Sequence, residues 1–282
     1  MTMTCIAVTG ASGKAGRMVV RDLLEHGMKV RATDVAAGPD LGVPLLAADL
    51  TDYGQAIEVL EGVDAVVHLA NIPAPGRHTP AETFASNTVM NFNVFHGATK
   101  MGLRRVVWAS SETTLGLPFD EPPLYAPVDE DHYPHPTSTY ALSKVASETV
   151  AEQISRWSGI PFVGLRFSNI LGPDDYEQFP DYWKDPELRR WNLWGYIDGR
   201  DVGTACRLAL EAQVEGASSY IIAAADTVMA TPSADLLAAV YPDVERSRPV
   251  EGFETLLAID RARSALGFEP AHSWRDHVAA PA

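Results

Sequence analysis

Tyr140 and Lys144 stand four residues apart, so a helix through Tyr140-Ala141-Leu142-Ser143-Lys144 carries both side chains on one face. A phenol titrates at about 10, too high for acid–base work near neutrality. An ammonium one turn away favours the phenolate, so Lys144 is expected to lower that pKa and make Tyr140 a proton shuttle. The same spacing arises by chance on many solvated helix faces. Its meaning depends on what the rest of the chain sets beside it.

A second chemical signal lies near the start. The apolar run Cys5 to Val8 leads into Thr9-Gly10-Ala11-Ser12-Gly13-Lys14-Ala15-Gly16-Arg17, and an amphipathic stretch follows from Met18 through Val19, Leu23 and Leu24 to Gly27. This reads as strand, glycine turn, helix. Glycines at 10, 13 and 16 allow a tight turn, close backbone approach to a pyrophosphate and close helix–strand packing. Backbone N–H groups and the dipole at the helix start favour anionic phosphates. Gly10, Ser12, Gly13, Lys14, Ala15 and Gly16 are therefore the candidate cofactor contacts. The next strand, Lys29 to Asp34, ends in an acid placed to accept hydrogen bonds from both ribose hydroxyls of an adenosine and to repel a 2′-phosphate. This favours NAD over NADP. Arg17 and Arg31 are the residues that could pair with such a phosphate, although Arg31 lies within the strand.

These residues need a frame. Strands are expected at 4–9, 29–34, 45–48, 64–69, 105–110 and 161–166, and helices at 14–26, 53–61, 80–101 and 139–158. Their alternation implies an α/β fold: a doubly wound parallel sheet with right-handed crossovers and helices on both faces. Leu117 to Thr139 breaks the rhythm, with six prolines between Pro118 and Pro136 among Asp120, Glu121, Asp129, Glu130 and Asp131. It cannot be a regular element. Because it joins Ser111 to Tyr140, it is expected to be a loop that serves as wall or lid of the site. Leu171 to Tyr196 gathers Tyr176, Phe179, Tyr182, Trp183, Trp191, Trp194 and Tyr196, which reads first as a packing plug.

Composition sets the outer bounds. The 282 residues are 46% hydrophobic and 21% charged, enough for an ample core in one large α/β unit, with or without a small annex. A net charge of −15 argues against unspecific binding to nucleic acid or anionic membranes. No apolar run approaches the roughly 20 residues of a membrane span. No basic, signal-like stretch precedes the first strand, and Cys5 and Cys206 read as reduced thiols, so a cytoplasmic location is expected. Neither cysteine belongs to a metal-binding spacing, and no metal is assigned.

Taken together, the chain resembles the short-chain dehydrogenase/reductase superfamily in its extended, NAD-dependent epimerase/dehydratase-like branch. Thr9-Gly-x-x-Gly-x-x-Gly16 matches that branch's glycine pattern, and Asp49-Leu50 matches the pair that contacts the adenine. His68-Leu69-Ala70, after Ala65-Val66-Val67, matches the strand end that lines the cofactor. Asn87 stands where the branch has its structural, cofactor-side Asn. Ser110-Ser111 ends the strand through Val106-Val107-Trp108, and Arg166-Phe167-Ser168-Asn169 resembles the segment near the nicotinamide and substrate. The likeness spans roughly Cys5 to Asp201.

The resemblance implies a Rossmann-type sheet with a small C-terminal substrate-binding annex. Residues 1–168 would form the NAD domain and 169–282 a smaller region interleaved with it. Ser111, Tyr140 and Lys144 would be catalytic. Side chains alternate along a strand, so only one of Ser110 and Ser111 can face the site, and counting back from Gly116 selects Ser111. Tyr140 and Lys144 would also touch the cofactor, together with Asp34, Asp49, Leu50, Leu69, Ala70 and Asn87. The substrate pocket would draw on Ser111, Glu112, Asn169 and the 171–196 region. There either Arg189 or Arg190 could partner a carboxylate or phosphate, with Arg190 taken as the candidate. Asp201 would act as a helix-start acid. Dehydratases of the branch follow the catalytic Ser/Thr with Asp-Glu; Glu112-Thr113 is an incomplete pair, and Leu115-Gly116 replaces the common Tyr-Gly. The tail is also shorter than in typical nucleotide-sugar epimerases. The expectation is an NAD-dependent oxidoreductase acting on a small sugar-like substrate of sugar or uronate type, working as a homodimer through helices 80–101 and 139–158. The alternative is a nucleotide-sugar epimerase that keeps its NAD. A non-catalytic NAD sensor is the third reading, and such proteins often lose the Tyr or the Lys.

Overall fold

The computed structural model describes residues 3–132 and 134–279. Seven strands form one parallel sheet: β1 (Cys5–Thr9), β2 (Lys29–Asp34), β3 (Leu45–Ala47), β4 (Ala65–His68), β5 (Arg105–Ser111), β6 (Phe162–Phe167) and β7 (Ala217–Ile222), in the order β7-β6-β5-β4-β1-β2-β3. From β1 the chain builds outward through β2 and β3, then crosses back to pair β4 with the other side of β1. That reversal opens a crevice above the carboxyl ends of β1 and β4, where open α/β sheets hold ligands.

The central strands are continuous apolar runs because both of their faces are covered. On one face α1 (Lys14–Glu25) and α5 (Gly199–Glu211) bury Val19, Val20, Leu23, Val202, Ala205 and Ala209 against the sheet. Gly203 lets these two helices meet, since a Cβ there would stand 2.9 Å from the Met18 carbonyl oxygen. On the other face lie α2 (Tyr53–Leu60), α3 (Pro80–Met101) and α4 (Thr139–Ser158), contributing Ala56, Val59, Val94, Phe95, Ala98 and Ile154. The caps explain where α3 and α4 start and stop. Thr79 and Ser138 accept from backbone N–H groups at the N-termini, Pro80 follows Thr79 directly, and Gly102 and Gly159 end the helices with positive φ. The two helices leave Val89, Phe92 and Leu142 exposed.

Six strands and four helices lie within about a residue of the sequence expectation. The seventh strand, β7, was not foreseen. It is an edge strand whose first half, Ala217-Ser218-Ser219, is only partly buried and carries no apolar run. Residues after 169 thus supply both β7 and α5 to the main sheet and its helical layer.

A third core lies beside the sheet. Leu117, Phe119, Ala126 and Val128 are buried there with Tyr176, Phe179, Trp194, Tyr196 and Trp274. Among its described residues the proline-rich stretch forms one short strand, Tyr125–Ala126, which pairs with Glu245–Arg246, and Val128 bridges to Leu257. Its buried apolar side chains make it a wall anchored to the aromatic cluster. Among the described residues no helix is long and apolar enough to cross a membrane.

Candidate active site

The glycine turn is built by close approach. Gly10 has φ +67°, and a Cβ on it would stand 2.7 Å from the Ala70 backbone nitrogen, so Leu69 and Ala70 pass directly over the turn. A Cβ on Gly16 would run into the Gly10 carbonyl. Gly13 caps α1 without a side chain, which leaves the first N–H groups of that helix uncapped, and Ser12 Oγ is buried with no hydrogen-bond partner among the described residues. Uncapped N–H groups at a helix start are an anion site. The residues present therefore fit a dinucleotide pyrophosphate. The Lys14 ammonium, by contrast, is spent elsewhere: it pairs with Asp175 at 2.5 Å and donates to the Ile170 carbonyl.

Asp34 ends β2 beside this turn, and its carboxylate accepts from the Ser12 and Val35 amides at 3.0 and 2.8 Å. The Ala48 amide donates to the Asp34 carbonyl at 2.9 Å, which brings Asp49 and Leu50 alongside. The Asp49 carboxylate closes its own turn on Thr51, and Leu50 is buried. Arg31 donates to the Val59 and Glu61 carbonyls at the end of α2, so it is not free to meet a 2′-phosphate. Replacing Asp34 by Ala is expected to narrow the preference for NAD over NADP, because the repelling charge is lost. Titration of both dinucleotides against the two proteins checks this; an unmodified protein that prefers NADP would refute it.

The catalytic candidates converge where β5 ends and α4 begins. Ser110 Oγ donates to Glu148 at 2.6 Å and so points away, while Ser111 lies beside the Tyr140 phenol. Ser111 Oγ also accepts from the Thr113 amide and hydroxyl. Lys144 Nζ sits 5.6 Å from the centre of the Tyr140 ring. The expected electrostatics are reversed. Burial pushes the Tyr140 phenol up to about 12, against the pull of Ser111 and with a further push from Glu112. Burial also brings Lys144 down to about 7. Desolvation outweighs the helical neighbour because the Lys144 ammonium is turned toward Asn71 Oδ1 (2.9 Å) and the Ala109 carbonyl (2.7 Å).

Asn71, three residues beyond β4, was not identified from the sequence. It belongs to a buried polar chain. Asn71 donates to Asn91 Oδ1 at 3.0 Å, Asn91 Oδ1 meets His68 Nε2 at 2.9 Å, and His68 Nδ1 meets Thr9 Oγ1 at 2.7 Å. Asn91 also donates to Ser147 on α4. Burial drives His68 down to about 3, so it is neutral. Asn87 is spent structurally: its amide accepts from the Ile72 N–H, donates to the Ile72 carbonyl and reaches Ser143.

Of the substrate-side candidates, Glu112 is buried next to Tyr140, and Asn192 Nδ2 donates to it at 3.4 Å. Burial pushes its carboxyl up to about 7, opposed chiefly by the neighbouring Ser168 hydroxyl. Arg190 is not brought in. It is half exposed and pairs with Glu187 at 3.0 Å on the surface. Arg189 takes the inward position, with Asn169 accepting from both of its terminal nitrogens at 3.2 Å once the amide is oriented to suit them. The two arginines are adjacent in a 3₁₀ turn, where sequence period does not say which faces in. Asp201 reaches beyond its helix start to hold Ala271 and His272. Among the described residues no group of three or more His, Cys, Asp or Glu is arranged to hold a metal ion.

A doubly wound sheet with an uncapped glycine turn at its reversal, and Ser, Tyr and Lys at the next strand end, defines the class of dinucleotide-dependent α/β enzymes. The chain belongs to the NAD dependent epimerase/dehydratase family, whose model matches residues 6–223. NAD is the cofactor of that family, and the glycine turn and Asp34 fit it. A uronate dehydrogenase of Pseudomonas putida is 31% identical over 170 residues, 58% of this chain and 60% of that relative, so the match spans less than two thirds of its length. An NAD-dependent glucose-6-phosphate dehydrogenase of Haloferax volcanii is 24% identical over 94% of this chain and 92% of its own. A UDP-glucose 4-epimerase of Lacticaseibacillus casei is 29% identical over 59% of this chain and 52% of its own. A solved short-chain dehydrogenase/reductase superfamily protein from Agrobacterium tumefaciens, with bound NAD, shares the fold. Its TM-score is 0.76 at 24% identity, covering 96% of this chain and 94% of that one.

Proposed function

We propose that this protein is an NAD-dependent dehydrogenase that oxidises a hydroxyl of a small sugar-like substrate. The observation that carries the reading is the convergence of Ser111, Tyr140 and Lys144 at the end of β5, beside the glycine turn. NAD, when bound, supplies the hydride acceptor. Tyr140, as phenolate, takes the proton from the substrate hydroxyl while the carbinol C–H and O–H bonds give way to a carbonyl. Ser111 donates a hydrogen bond to the same oxygen and steadies the charge that develops on it. Lys144 would hold the ribose side of the cofactor and, in its protonated form, favour the phenolate. Glu112-Thr113 offers one acid rather than two, which weighs against dehydration. Likeness to dehydrogenases of uronates and of glucose 6-phosphate supports the same reaction type.

Incubation with NAD and a panel of free sugars, uronates, sugar phosphates and nucleotide sugars tests the reading. NADH is expected to accumulate in step with product. Conversion of a nucleotide sugar into its epimer with no net NADH would overturn it in favour of an epimerase.

A further inference from the structure

The two banks of the crevice are joined by a contact that neither the sheet nor the apolar cores require. Lys14 opens α1 on the bank of the glycine turn. Asp175 lies 161 residues further along, in the short helix Pro173–Tyr176 that follows β6 on the opposite bank. In the sheet β4 and β5 stand between β1 and β6, so the pair ties together segments that leave strands which are not neighbours. Lys14 Nζ meets Asp175 Oδ2 at 2.5 Å and donates to the Ile170 carbonyl at 3.2 Å. The same carboxylate oxygen accepts from the Gly172 N–H at 2.8 Å, which fixes its direction. The helix that carries it is firmly mounted. Tyr176 is fully buried and donates to Asp198, which also takes Arg200 at 2.8 Å. Ile170–Leu171 pairs with Ile197–Asp198, and Gly199 then opens α5 so close to α1 that a Cβ on it would stand 3.2 Å from Met18 Cγ. Both banks are therefore rigid, and side-chain motion alone breaks the contact. With side-chain exposures of 47% and 30%, the pair adds little to stability. It nevertheless sets a carboxylate at the rim of a turn that suits an anion, where a bare acid would repel a pyrophosphate. The Lys14 ammonium offsets that charge while it bridges the two.

We propose that Lys14 and Asp175 form a latch over the pyrophosphate end of the NAD site, which parts for the dinucleotide to enter or leave and so sets the rate of NAD exchange. The inference rests on NAD binding at the glycine turn and goes beyond the dehydrogenase reading, because its test needs no substrate. Release of bound NADH is followed by stopped-flow fluorescence on mixing with excess NAD, and association by mixing the free protein with NADH. Asp175→Asn and Lys14→Met are each expected to speed release about fivefold and to speed association as well, so that Kd moves less than either rate. The double variant should be no faster than the quicker single one, because each change opens the same contact. Release from the unmodified protein should quicken with added salt, and the variants should lose that dependence. The melting temperature of each variant reads whether the fold is kept. Should Lys14→Met disturb the turn, Asp175→Asn carries the test, since it leaves the turn untouched. Unchanged release in Asp175→Asn would overturn the proposal. Tighter binding in Asp175→Asn with slower association in Lys14→Met would overturn it too, by making Lys14 a plain attractive cation and Asp175 its competitor.

Discussion

Replacing Tyr140 by Phe is expected to cut turnover by a factor on the order of 10² to 10⁴, the usual range for loss of a general acid–base group. The change removes one oxygen from a buried ring and leaves the glycine turn and Asp34 intact, so NAD affinity should change little. The unmodified enzyme adds a pH signature. A base works deprotonated, and burial carries the Tyr140 phenol to about 12, so the oxidative rate should climb as pH rises through the alkaline range. The Phe variant should lose that climb. Stopped assays across pH, with NAD binding followed separately, check both parts. A variant that turns over within a few-fold of the parent would show that another group moves the proton.

Glu148→Ala is expected to cost about 3–5 kcal/mol of stability. Its carboxylate takes Arg166 in a two-pronged pair at 2.9 and 2.8 Å and also receives Ser110. Removing it leaves Arg166, 6% exposed, charged and without its hydrogen-bonded partner beneath the sheet's carboxyl end. Urea unfolding at fixed NAD concentration measures the loss. A cleft of about 580 Å³ runs past the pair, and a loss below about 1 kcal/mol would show that water there already solvates Arg166.

The central fold was legible because parallel strands covered on both faces are apolar runs bounded by glycine and acid, as Ala65–His68 after Gly62 and Asp64 illustrates. The edge strand β7 was not legible. One face of its first half is wet, so Ala-Ser-Ser carries no alternation to read. At the site, the spacing of Tyr140 and Lys144 set both on one helix face, and strand alternation said that only one of Ser110 and Ser111 could face it, the choice of Ser111 resting on the family resemblance. Their charges were another matter. A helical neighbour is visible in sequence, whereas the burial that reverses its effect comes from Asn71, Ala109 and α3, distant in the chain. The same holds for Arg189 and Arg190, whose facing is decided by the turn of a short 3₁₀ segment packed against Tyr182.

The polar chain from Thr9 through His68, Asn91 and Asn71 to Lys144 has a further consequence. Its one titratable member apart from the lysine stays neutral until pH falls to about 3. The mounting that carries the ammonium is therefore electrically silent across the range in which Lys144 and Glu112 exchange protons. Acidification alters the tools at the bench without shifting the bench. A change in rate near neutrality then does not originate in the titration of His68.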